Sequence, residues 1–203
     1  TVVKGLMNAM GLKPGDTVLD PMMGSGTVLI EACLMGIRSI GIDASPFCRF
    51  MVEAKLDGFR VSLPPVRLAL KHSDSVFKYF RALAGHPRPG SKMRFEEGSG
   101  DLFALGERTD DWAARAPAEG SLPKGCEDPV VHSFLLLAYL DSAGYAERST
   151  RQPPNEQFRA IVERYLFVAE KIQRILTGIE SELGDARAME GDARHLPLED
   201  GTI

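Results

Sequence analysis

Cysteine is scarce in this chain: among 203 residues only Cys33, Cys48 and Cys126 carry a thiol. Three widely spaced thiols make neither an even disulfide set nor a ligand cluster, so the sequence reads as that of an intracellular, cytoplasmic protein with reduced cysteines. The four histidines are scattered without metal-ligand spacing, and no metal site is expected. Long apolar runs are missing as well. The run Phe134 to Leu140 is too short to cross a bilayer and is broken by Asp141, and nothing resembles a signal peptide, so no membrane partner is expected. There is no internal repeat. Nor is there an excess of positive charge: a net charge of −4 excludes wrapping of nucleic acid by the chain as a whole through unspecific electrostatics. The length suits one domain with a sizeable core, or one domain carrying a helical insertion.

What is present is concentrated between Val18 and Asp43. Thr17, Val18 and Leu19 form an apolar run too short for a helix, behind the turn signal Lys13-Pro14-Gly15-Asp16. They read as a buried strand with Asp20 at its carboxyl end. Gly24 and Gly26 permit backbone conformations and close ligand approach that a β-carbon hinders, and Thr27 opens a helix whose free N–H groups face outward. That helix is expected over Thr27 to Met35, with Gly36 as its stop. Ser39 to Ile42 returns as a parallel strand, which sets Asp43 beside the glycine loop, 17 positions after Gly26. This is near the spacing at which a carboxylate meets the two hydroxyls of a ribose.

The loop also discriminates between nucleotides. Gly24-Ser25-Gly26 is followed by Thr27, Val28 and Leu29, so the third glycine of the dinucleotide fingerprint is missing. A carboxylate at Asp20 repels a pyrophosphate but suits a ligand with an ammonium group. S-adenosyl-L-methionine is such a ligand.

These residues carry a resemblance. Asp20-Pro21-Met22-Met23-Gly24-Ser25-Gly26-Thr27 resembles the first motif of the class I methyltransferases that modify exocyclic amino groups of nucleic-acid bases. Gly41-Ile42-Asp43 with Ser45-Pro46-Phe47 resembles the second motif, and Glu190-Gly191-Asp192-Ala193-Arg194-His195-Leu196-Pro197 the third. The likeness spans roughly residues 1 to 58 and 185 to 203. It implies S-adenosyl-L-methionine as cofactor, with its methionine end held by Asp20 and the backbone of Gly24 and Gly26, its ribose by Asp43, its adenine face by Pro46 or Phe47, and its adenine amino group by Asp192. The full set so implied is Asp20, Pro21, Met22, Gly24, Ser25, Gly26 and Thr27, then Asp43, Ala44 and Phe47, then Asp192 and Ala193. Each has a plainer reading too: Asp20 as the cap of its turn and Asp43 as a loop residue, both the lesser reading; Asp192 as a solvated turn, the commoner reading of an isolated Gly-Asp pair; and Phe47 as a core residue. Glu31 reads as a surface or salt-bridged residue.

The same family continues, after the third motif, with a catalytic tetrapeptide of the form (Asp/Asn/Ser)-Pro-Pro-(Tyr/Phe/Trp). None occurs here. Val66 follows Pro64-Pro65 and Asn155 follows Pro153-Pro154, so neither pair has the aromatic. An exocyclic nitrogen is a poor nucleophile that needs hydrogen-bond acceptors and a fixed approach, and no residue can be assigned that catalytic role. The expectation is the cofactor-binding portion of a methyltransferase, truncated before its catalytic motif or completed by a second polypeptide, and inactive alone. The resemblance favours DNA as substrate, in DNA methylation of the restriction-modification kind; RNA guanine-N2 methylation is the nearest rival. A non-catalytic cofactor-binding subunit is another reading, and a dinucleotide-dependent oxidoreductase a remote one.

Between the motifs, residues 60 to 95 hold eight basic side chains (Arg60, Arg67, Lys71, Lys78, Arg81, Arg88, Lys92 and Arg94) against Asp74, with Phe77, Tyr79 and Phe80 interleaved. That stretch reads either as a track for phosphates with stacking aromatics or as the solvated face of an insertion. Residues 96 to 128 read as a loop. Val130 to Tyr145 has the content of a buried helix. Asn155 to Leu183 reads as a longer one, capped by Asn155 and stopped at Gly184, with Phe158, Ile161, Val162, Tyr165, Leu166, Val168, Ala169, Ile172, Ile175, Leu176 and Ile179 on its apolar face. The whole is an α/β chain: a Rossmann-like, doubly wound, mostly parallel sheet, incomplete here, with a large, mainly helical insertion over residues 59 to 184 between a core half at 1 to 58 and a return at 185 to 203. A helix over residues 1 to 12 precedes the first strand.

Overall fold

The structure, a computed structural model, describes residues 1–83, 120–148, 153–178, 183–199, 201 and 203. They divide into two compact units, one of Thr1–Leu56 with Ile175–Ile203 and one of Asp57–Arg174.

The first unit is built on a parallel sheet. Strands β1 (Thr17–Asp20), β2 (Arg38–Asp43) and β3 (Ala186–Glu190) lie in the order β1-β2-β3. Register aligns Asp20 with Gly41 and Asp43 with Glu190, so all three strands present their carboxyl ends at one edge. Helix α1 (Val2–Ala9) precedes β1, α2 (Thr27–Leu34) connects β1 to β2, and α3 (Pro46–Asp57) follows β2. Thr1 caps α1 by accepting from the Lys4 N–H, a contact of the kind that contributes about 1 kcal/mol. Met7 of α1 packs on Ala32 and Ile37, while Leu29 packs on Met23 and on Val52 of α3. Helix α2 therefore stands between α1 and α3, and Val28 touches both clusters. Gly41 has no side chain because Leu29 and the Met23 sulfur fill the space a β-carbon would take. Helix α2 ends one residue before the expected Met35, which caps it, and Gly36 follows at φ 72°.

The fold class read from the sequence is thus the one observed: a Rossmann-like, mostly parallel sheet interleaved with helices and carrying a helical insertion. One expectation fails in detail. Strand β1 is half-buried along its length rather than buried, because among the described residues it pairs with β2 alone.

The second unit is helical. A 3-10 turn (Gly58–Arg60) leads into α4 (Leu63–Lys71), α5 (Ser73–Leu83), α6 (Pro129–Arg148) and α7 (Pro154–Gly178). Pro64 and Pro65 lie in the first turn of α4, where their missing N–H groups have no helical partner to lose. Helix α7 departs from its expected ends. Pro154 takes the first helical position, so Asn155 is already inside the helix and its side chain donates to Asp74 on α5 instead of capping. The described helix closes at Gly178, leaving Ile179 outside the described residues, and Gly184 serves elsewhere: its N–H donates to the Cys33 carbonyl and its α-carbon lies against the backbone of Ile37. Of the apolar face expected for α7, Phe158, Ile161, Val162, Leu166 and Ala169 are buried, whereas Val168 and Ile175 are about half exposed, at 46% and 48%.

Candidate functional site

The site forms where the carboxyl ends of the three strands meet, and the backbone brings three loops to one residue. After β1, the Met22 N–H donates to Oδ1 of Asp20 at 3.2 Å, which makes the tight turn that Asp-Pro predicts. The Met23 N–H donates to the Ile42 carbonyl and the Gly26 N–H to the Met23 carbonyl, so the loop is tied to the end of β2 and closed on itself. Gly24 and Gly26 adopt φ of 50° and 78°, in the left-handed region. At Gly26 a second constraint applies, since a β-carbon there would overlap the methyl groups of Val52.

Asp43 is the junction. Its Oδ2 accepts from the Gly24 N–H at 2.9 Å and its Oδ1 from the Ser45 N–H at 2.9 Å, while its backbone carbonyl accepts from the Gly191 N–H at 3.0 Å. One half-buried residue thereby joins the glycine loop, the turn into α3 and the loop after β3. Each carboxylate oxygen takes one backbone donor, which leaves acceptor capacity on both for hydroxyl groups of a ligand. Thr27, Val28 and Leu29 begin α2 just past the loop, where N–H groups lack carbonyl partners within the helix.

The remaining expected residues differ in exposure and pairing. Asp20 is half-buried with one oxygen used in its own turn. Pro21, Met22, Ser25, Thr27, Ala44 and Ala193 are exposed, Met22 at 76%. Phe47 is half-buried in the first turn of α3, 6.4 Å from the ring of buried Phe50. Asp192 is engaged: its carboxylate pairs with the Arg194 guanidinium at 2.6 to 3.0 Å and accepts the Arg194 N–H at 2.9 Å. That pairing holds the Asp192 carboxyl below the ordinary carboxylate range. Burial raises the Cys48 thiol; the Ser45 hydroxyl opposes this and the nearby Asp43 carboxylate adds to it.

Three participants were not among the site residues read from the sequence. Ser45 and Gly191 enter through backbone N–H groups, which any residue could supply. Lys55 reaches from α3 to donate to the Ser25 carbonyl at 2.8 Å; its signal was its spacing three residues after Val52 on one helical face.

The aromatic half of the basic stretch is corrected by the structure. Phe77 and Phe80 are buried, at 8% and 1%, against Tyr139, Phe158 and His132, so neither is available to stack on a base. Arg67 pairs with Glu170 at 2.8 Å and Arg81 lies over the Phe77 ring. Arg88, Lys92 and Arg94 fall outside the described residues.

Residues 1–79 match the UPF0020 family, an RMKL-like methyltransferase domain. Over that stretch the chain is similar to class I S-adenosylmethionine-dependent methyltransferase domains, related to those acting on exocyclic amino groups in DNA and RNA. Among curated proteins it is similar to the type II methyltransferase M.BsoBI of Geobacillus stearothermophilus, 41% identical over 70 residues, 34% of this chain and 14% of that protein. It is similar also to the type II methyltransferase M.MjaII of Methanocaldococcus jannaschii, 51% identical over 47 residues, 23% of this chain and 9% of that protein. A tRNA (guanine(10)-N2)-dimethyltransferase of Methanothermobacter thermautotrophicus is 53% identical over 38 residues, 19% of this chain and 11% of that protein. The matched stretches thus span less than a sixth of each relative. No solved structure matches.

Proposed function

We propose that this chain is the S-adenosylmethionine-binding portion of a nucleic-acid methyltransferase that methylates an exocyclic amino group of a base, in DNA first of all. The observation that carries the reading is the Asp43 junction, where the carboxylate holds the glycine loop and the turn into α3, the backbone carbonyl holds the loop bearing Asp192, and the carboxylate keeps acceptor capacity for a ribose. The donor set fits the cofactor. Asp43 would receive the ribose hydroxyls, Asp20 the methionine ammonium, Asp192 the adenine amino group, and Phe47 would pack beside the base; Pro21, Met22, Ser25, Thr27, Ala44 and Ala193 form the rim. When bound, the cofactor supplies a methyl group on a positively charged sulfur. The longer match to type II methyltransferases favours the DNA reading, with the exposed Arg60, Lys71 and Lys78 of the helical unit on phosphates. The tRNA-modifying relative supports RNA guanine-N2 as the second reading. The catalytic tetrapeptide, which the 203 residues do not contain, would come from further sequence or from a second polypeptide.

The test is calorimetric titration with S-adenosylmethionine and its demethylated product, with NAD as control. Both adenosyl ligands bind and NAD does not. Asp43→Ala weakens the binding by about 1 to 3 kcal/mol, through lost hydrogen bonds to a charged acceptor. NAD binding in place of the adenosyl ligands, or an unaltered affinity in the variant, defeats the assignment.

A further inference from the structure

Helix α3 presents one face to the glycine loop. Val52 lies beneath Gly26 and against Leu29, Leu56 joins the same apolar cluster, and between them Lys55 extends over the loop to the Ser25 carbonyl at 2.8 Å. Lysine is an uneconomical choice for a mere staple, because a long, flexible side chain has to be ordered at an exposed site. A neutral donor would satisfy one carbonyl equally well. What lysine adds is a positive charge beside a loop whose other ionic group, Asp20, is negative. The same ammonium acts on the Cys48 thiol, against burial and against Asp43, as the smallest of the influences there.

We propose that Lys55 is a positioning residue for the amino-acid end of the cofactor: it fixes the Ser25 turn and supplies the positive charge that complements the ligand's carboxylate, as Asp20 complements its ammonium. This rests on the cofactor assignment above and adds to it a source of selectivity for a zwitterionic ligand over a bare adenosine. The test compares two ligands on the whole chain by calorimetry: S-adenosylhomocysteine, which has the amino-acid end, and 5′-methylthioadenosine, which lacks it. Lys55→Met weakens S-adenosylhomocysteine about tenfold, the scale of one charge-assisted hydrogen bond, and leaves 5′-methylthioadenosine within about twofold. Lys55→Arg restores most of the loss. A loose helix-to-loop staple would instead weaken both ligands alike, and that result, or no loss with either, overturns the proposal. Failure of the unaltered chain to bind either ligand is a separate outcome: it removes the cofactor assignment itself and the role of Lys55 with it.

Discussion

At Asp43, one carboxylate holds a loop and faces a ligand at once, and the residues around it show how local such a requirement can be. Gly26 meets two constraints together, a left-handed backbone and a van der Waals contact with Val52. Gly11 meets only the first, with open space where its β-carbon would be. Gly11→Ala is therefore expected to lose about 1 to 3 kcal/mol from backbone strain, and Gly26→Ala a further 1 to 3 kcal/mol or so from overpacking. Denaturant unfolding of the two variants checks this; equal losses would mean that Val52 yields freely. Asp192 offers a second test at the same scale. Its carboxyl is depressed by Arg194, so any stability from the pair is present above the ordinary carboxylate range and is lost as pH falls through the lowered value. Carbon-13 titration should find Asp192 protonating below the ordinary carboxylate range, and Arg194→Ala should return it to that range. Because the pair is exposed, global stability should scarcely respond.

At the scale of elements, the helical unit is held by an aromatic cluster and by paired polar groups between helices. Tyr165 of α7 donates to Asp141 of α6 at 3.3 Å, and Tyr139 lies among Phe77 and Phe80. Both phenols are pushed up to about 12, Tyr139 by burial and Tyr165 by burial and then by Asp141. The sign follows directly: these groups contribute stability fully below the unfolded value near 10, and the contribution declines as pH rises from there to about 12. Absorbance at 295 nm should show two tyrosines resisting ionisation until that upper range, with helical signal lost in the same window. Ionisation of all the tyrosines near pH 10 with the helices intact would contradict the packing.

The legibility of these elements followed their locality. Strands β1 and β2, the intervening turn and α2 were readable because glycine, proline and short apolar runs act within a few residues. The ends of α7 were not, since Pro154 outcompeted Asn155 for the helix start and Asn155 found its partner on α5, 81 residues away. Phe77 and Phe80 looked like candidates for stacking for the same reason. They are buried against α6 and α7, although the helical spacing of Val76, Phe77 and Phe80 on α5 already marks an apolar face. The three motifs are joined through hydrogen bonds to Asp43, whereas the Lys55 contact and the Asp192–Arg194 pair emerged only from the folded structure.

For the whole molecule, the division into two units places the three motifs in the unit of Thr1–Leu56 with Ile175–Ile203 and the basic stretch in that of Asp57–Arg174. No helix among the described residues is long and apolar enough to cross a membrane. The central claim is that Asp43 gathers three loops into one adenosyl-binding site. A crystal structure of the chain with S-adenosylhomocysteine tests it most directly. The account predicts the ribose hydroxyls on Asp43 with the Gly24 N–H bond retained, and the adenine amino group on Asp192 with Arg194 displaced. A ligand bound elsewhere, or bound here without contact to Asp43, would contradict it.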